Sequence, residues 1–132
     1  MAVIVTDENM HLEYLEDSAI YLERFKTELE LDLMRKALPI AREEIDKHQF
    51  TRWITDARAI SGMSPEAAQW ILTEWLPNMQ DTTWRYWALV VPEALVGRMQ
   101  MMQFMQAVSD LGIQIRTFTT MEDAQDWVTN IE

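Results

Sequence analysis

A mixed α/β sheet covered by four main helices is the fold class predicted here, and two features of the sequence predict it. The first 25 residues hold three short apolar stretches, 2–5, 10–15 and 19–25, separated by Asp7-Glu8-Asn9 and Glu16-Asp17-Ser18. Turn formers between β-branched and aromatic runs read as a three-stranded meander. From residue 19 onward, strand-like and helix-like patterns alternate four times, which requires parallel strands joined by right-handed crossovers. The strands are expected near 19–25, 52–57, 85–91 and 113–118, with 10–15 antiparallel to its neighbour. If the chain steps across the sheet in one direction, the crossover helices share one face; if it reverses, they divide between both.

Each element has its own justification. In 19–25, Tyr21 and Glu23 alternate with Ile20 and Leu22, so one strand face is expected to be wet. The first helix is drawn from a stripe of Leu29, Leu33, Ala37, Ile40, Ala41 and Ile45. It starts either at Thr27, as a capping box with Glu30, or at Asp32 as a simple cap. Pro39 then kinks or divides it, since proline lacks a backbone donor. Residues 52–58 follow as a strand, 65–76 as a helix opened by Ser64-Pro65, and 85–91 as a strand. The run Tyr86-Trp87-Ala88-Leu89-Val90-Val91 is continuously apolar and belongs mid-sheet. Helix 93–110 stops at Gly112, strand 113–118 alternates as an outer strand does, and helix 121–131 opens on a Thr119/Glu122 capping box. No Pro, Gly or Ser-rich linker interrupts the series, so 1–132 is expected to be one domain.

Composition narrows function by exclusion. With 132 residues, folding buries about two-thirds of the unfolded chain's surface, so the core needs no staple. Cysteine is absent, which removes disulfides, thiolate nucleophiles and Cys-ligated metals. The 22 acidic residues against 11 basic ones leave a net charge of −11, a poor match to a polyphosphate backbone; nucleic acid is not an expected partner. Residues 1–6 are too short an apolar segment for a signal peptide, and no run of eighteen apolar residues spans a membrane. The expected location is cytoplasmic, without stable membrane insertion.

Several segments, namely 52–58 (RWITDAR), 63–66 (MSPE), 70–77 (WILTEWLP), 88–92 (ALVVP) and 124–128, resemble the SpoIIAA-like superfamily. This β-α superhelix includes STAS domains and lies close to Sec14-type lipid-binding domains; the nearest likeness is to uncharacterised single-domain bacterial proteins. The resemblance implies a SpoIIAA-like fold over most of the chain. STAS domains that antagonise anti-sigma factors carry a D-S/T-S/T-G stretch with a phosphorylated serine. Here the corresponding residues are Asp56-Ala57-Arg58-Ala59-Ile60-Ser61-Gly62, which keep a Ser61-Gly62 pair but lack the Asp-Ser-Ser-Gly run, so the resemblance supports the fold more than a phosphorylation switch.

The chemistry-bearing residues are few. His11 and Glu13 share a strand face but make only two ligands, short of a zinc site, and His48 suits the end of its helix as a cation. No serine lies in a nucleophile elbow, and the isolated glycines 62, 97 and 112 build no phosphate loop. No catalytic residue, metal or cofactor is expected. Asp56, Arg58, Ser61 and Ser64 cluster where a central strand meets a helix start, the candidates for a ligand or anion. Against that, Ser64 caps its own helix and Asp56 pairs with Arg58.

Six tryptophans and ten methionines are the compositional oddity. They either fill the core or make an aromatic surface; Trp70, Trp75, Trp84, Met101 and Phe104 are the candidates for an interface or an apolar ligand. In helix 93–110 the inward stripe is expected to be Leu95, Met99, Met102, and Met105 or Val108, leaving Met101 and Phe104 partly outside. The expected function is a non-enzymatic regulatory or interaction module with a protein partner or a second copy of itself. The alternative is a carrier of a lipid or other apolar small molecule.

Overall fold

The computed structural model describes residues 2–131. Strands β1 (Ala2–Thr6), β2 (Met10–Leu15) and β3 (Ile20–Phe25) form the meander. Helix α1 (Leu31–His48) leads to β4 (Arg52–Asp56), and α2 (Pro65–Trp70) continues through a π-helical turn, Ile71–Trp75, and a 3-10 turn, Leu76–Met79. Strand β5 (Tyr86–Val90), α3 (Leu95–Ser109), β6 (Gln114–Phe118) and α4 (Met121–Asn130) complete the order. The six strands lie side by side in sequence order, antiparallel from β1 to β3 and parallel from β3 to β6. The α/β class and the pairing directions are as the sequence predicts.

Because every crossover steps the same way, α1, α2 and α3 share one face, where they pack over Tyr21, Trp53, Trp87 and Leu89. Helix α4 returns across the other face and seats Ala124 and Val128 on Ile20, Leu22, Ile54, Ala88 and Val90. With helices on both sides, β3 has no wet face: Tyr21 and Glu23 are as buried as Ile20 and Leu22. The polar alternation expected of an outer strand holds at β6, where Gln114 and Arg116 are exposed.

Local signals explain most ends. Ser64 accepts the Ala67 N–H at 3.1 Å with Pro65 in the first turn, the expected cap. Gly112, at φ +91°, turns the chain out of α3. Other signals misplace the start. Helix α1 begins after Glu30, which makes no side-chain cap, while the Thr27 hydroxyl points toward Asn9 instead. The helix then runs unbroken through the exposed Pro39. The cap of α4 is Thr120, bonded to the Asp123 N–H at 3.2 Å, one residue beyond the expected Thr119.

These assignments separate by mutation. Ser64→Ala and Thr120→Ala are each expected to cost about 1 kcal/mol in urea unfolding, and Thr119→Ala close to nothing. Equal losses at 119 and 120 would mean that the helix starts elsewhere.

Candidate functional site

Residues at and after the carboxyl ends of β3 and β4, with Glu93 beyond β5, line an open cleft of about 380 Å³: Arg24, Phe25, Lys26, Asp56, Arg58, Ala59 and Glu93. Asp56 is its buried anchor. Arg24 Nε donates to Asp56 Oδ2 at 3.0 Å; Arg58 donates from Nε to Oδ1 and from Nη2 to Oδ2, each at 2.9 Å. The Arg58 backbone N–H adds a bond at 3.2 Å. Burial alone would raise the Asp56 carboxyl, but the bonds from Arg58 and Arg24 outweigh it and hold the group below its ordinary value.

The two serines expected beside Asp56 and Arg58 have other partners. Ser64 is occupied as the α2 cap, while Ser61 donates both its hydroxyl and its backbone N–H to Glu28 Oε1. Those bonds lower the Glu28 carboxyl, and a phosphate on Ser61 would face that charge. The sequence candidates therefore split: Asp56 and Arg58 belong to the cleft, Ser61 and Ser64 to the loop that closes against residues 28–29. Arg24 and Lys26 carry no local spacing signal, because their partners, Asp56 on the next parallel strand and the Asp7 carbonyl in the β1–β2 turn, are distant in sequence.

The aromatic excess lies inside. Trp53 stacks on Trp84 at 4.2 Å and meets Trp75 and Trp87 at 5.7 and 6.0 Å between ring centres. Of the five interface or apolar-ligand candidates, Trp75, Trp84, Met101 and Phe104 are buried, which removes them from any surface patch. Only Trp70 is half-buried, in a surface groove beside Pro39 and Arg42. Trp75, Met101 and Phe104 instead line an internal cavity of about 30 Å³ with Met34, Met63 and Trp87.

Into that cavity projects Glu23, a fully buried acid that the sequence reading placed on a wet strand face. Its Oε1 accepts from Thr55 Oγ1 at 2.7 Å, and Thr55 in turn accepts from Trp87 Nε1 at 2.8 Å. Glu23 Oε2 has no hydrogen-bond partner among the described residues. Burial pushes this carboxyl up to about 7, against the side chains of Thr55 and Trp53, which favour its ionised form.

The inward stripe of α3 differs from the expected one at Leu95, Met99 and Met102, while Val108 is buried and Met105 packs against the core as expected. Gly97, Met101, Phe104 and Val108 face the sheet, whereas Leu95, Val96, Met99 and Met102 are 67, 67, 55 and 61% exposed. Gly97 decides the orientation: a Cβ there would stand 2.5 Å from the Ser61 carbonyl oxygen and 3.1 Å from the Pro92 ring. Gln100 reinforces it by accepting the Met63 N–H at 2.9 Å.

His11 and Glu13 pair with each other at 2.8 Å, and His48 stacks on Tyr14 with ring centres 4.0 Å apart while pairing with Glu44. No group of three His, Cys, Asp or Glu side chains suited to a metal occurs among the described residues. Nor is any described helix long and apolar enough to cross a membrane.

No family model and no curated protein matches the sequence. The structure is similar to the crystal structure of an uncharacterized protein of the DUF3478 family with a SpoIIAA-like fold, from Shewanella loihica PV-4. The TM-score is 0.65 at 16% identity, over 95% of this chain and 98% of that one. Strand order and structural likeness together define a SpoIIAA-like fold, as the sequence resemblance implies.

Glu23 gives a pH signature. Its folded value lies above its ordinary 4.5, so its contribution is complete below pH 4.5 and is lost as pH rises through about 7. The loss is expected to be on the order of 3 kcal/mol. Asp56 acts in the opposite sense, its stabilisation vanishing as pH falls below 3.8, so the windows do not overlap. Denaturant unfolding across pH 4.5–7 should show a fall in stability for the native chain and a much flatter profile for Glu23→Gln. A native profile already flat over this range would contradict the burial argument.

Proposed function

We propose that the protein is a non-enzymatic interaction module that associates with a second copy of itself through the outer face of α3. The observation that carries this reading is the adjoining exposure of Leu95, Val96, Met99 and Met102. Leu95, Met99, Met102 and Gln106 recur at spacings of four, three and four, the seam along which another helix packs. The four apolar side chains offer on the order of 450 Å² per copy, so two copies with their glutamine margins reach about 1,000 Å², the lower bound for a specific interface.

Charge favours a second copy as the occupant. The chain carries −11, yet α3 contains no acidic residue and Arg98 is its sole charge. Two such faces meet without the acid–acid repulsion that most other surfaces of this chain would bring. The carrier alternative has less support, because the internal cavity of about 30 Å³ is roughly a tenth of what a small-molecule site needs.

Sedimentation velocity over a concentration series tests the reading. The native chain is expected to dimerise by ~100 μM, and Met99→Glu to remain monomeric at an unchanged melting temperature because its site is exposed before association. Met101→Glu should unfold the monomer, since that side chain is buried. A native chain that stays monomeric would overturn self-association, and co-purified lipid in native mass spectrometry would restore the carrier reading.

A further inference from the structure

The cleft at the strand ends has the make-up of a binding site distinct from the α3 face. Asp56 is 2% exposed, while the side chains of Arg24 and Arg58 that lean on it are 42 and 41% exposed. A buried carboxylate thus holds two guanidinium groups at the rim in fixed orientations. Arg24 engages Asp56 through Nε alone and Arg58 through Nε and Nη2, so among the described residues Arg24 Nη1 and Nη2 and Arg58 Nη1 keep their donors. Lys26, which reaches the Asp7 carbonyl oxygen at 2.8 Å, stands on the same wall.

Position and charge then specify the occupant. The cleft is open to solvent, with about 380 Å³ of free space above its lining. The cleft lies outside the carboxyl ends of the parallel strands β3 and β4. It begins at β3, where antiparallel pairing gives way to parallel. Arg24, Lys26 and Arg58 oppose Asp56 and Glu93, leaving a surplus of one positive charge in a chain whose net charge is −11. One carboxylate neutralises that surplus. A phosphate dianion overshoots it and meets Glu93. Ala59 is exposed at the rim and, with the edge of the otherwise buried Phe25, is the apolar part of the lining.

We infer that this cleft binds a small monocarboxylic acid with a compact apolar body, its carboxylate held between Arg24 and Arg58. Guanidinium donors and carboxylate oxygens match in geometry, so the pairing is a charge-assisted one. The inference is independent of self-association, since none of the cleft residues lies in α3.

Benzoate, benzyl alcohol and inorganic phosphate serve as probes, read by calorimetry and by the Arg Nε–H resonances in NMR. Benzoate is expected to shift the Arg24 and Arg58 signals and to bind at least about tenfold tighter than benzyl alcohol, which keeps the ring but lacks the charge. Phosphate is expected to bind more weakly than benzoate in the native chain and to gain affinity in Glu93→Gln. Arg24→Gln should weaken benzoate about tenfold while Arg58 still satisfies Asp56, and Arg24→Lys should recover part of the loss. Native chemical shifts in the Arg24→Gln spectrum outside the cleft show that the fold is kept. Absence of any benzoate shift up to about 20 mM would overturn the inference. So would tighter binding of phosphate than benzoate, or an Arg24→Gln variant that binds benzoate as well as the native chain does.

Discussion

Trp53 is the side chain on which most of the structure rests. It is fully buried on the middle of the face covered by α1, α2 and α3, with Tyr21 and Trp87 as its direct neighbours across β3 and β5. A one-residue slip of β4 would carry Trp53 to the α4 face, against the small Ala124 and Val128, and bring Ile54 into the space between the rings. The aromatic row therefore holds the parallel register. Because Trp75 and Trp84 close over Trp53 from the segment that follows α2, the same contact sets how that segment lies on the sheet. Dense aromatic packing also explains the small interior cavity, since large flat rings in edge and stacked contact leave little unfilled volume.

A second constraint ties the loops to this frame. The chain after β4 is bound on one side by Leu29, through the Leu29 N–H to the Gly62 carbonyl and the Ser64 N–H to the Leu29 carbonyl. On the other side it is bound by Gln100, and Gly97 lets α3 approach the Ser61 backbone. This clamp turns the outer stripe of α3 toward solvent and keeps Arg58 over Asp56. The apolar face and the charged cleft thus share one structural cause, a strand-end loop held between the α1 entry and α3.

What the sequence made legible follows from the range of the signals involved. Strand and helix order was readable because turn formers and apolar periodicity act within a few residues, and parallel pairing followed from the alternation of types. The α4 cap was ambiguous by one residue because Thr119 and Thr120 each have an acid three positions on, Glu122 and Asp123. The α3 stripe was unreadable by periodicity, since two apolar stripes run along the same helix; the usable signal was Gly97, a lone glycine where only a hydrogen fits. Asp56 and Arg58 were visible as a local pair, whereas Arg24 reaches Asp56 only across a strand pair, which no spacing rule encodes. Glu23 looked like an ordinary solvent-facing residue of an alternating strand because the sequence did not reveal that helices cover both faces.

Helix α3 turns one apolar stripe into the core and leaves another exposed. Oxidative footprinting of methionine at low and high protein concentration tests it most directly, because Met99, Met101 and Met102 sit on one helix and differ only in direction. At low concentration Met99 and Met102 should oxidise readily while Met101 and Met34 are protected, and at high concentration Met99 and Met102 should become protected as well. Oxidation of Met101 as fast as Met99, or a dimer in which Met99 and Met102 stay fully reactive, would contradict the account.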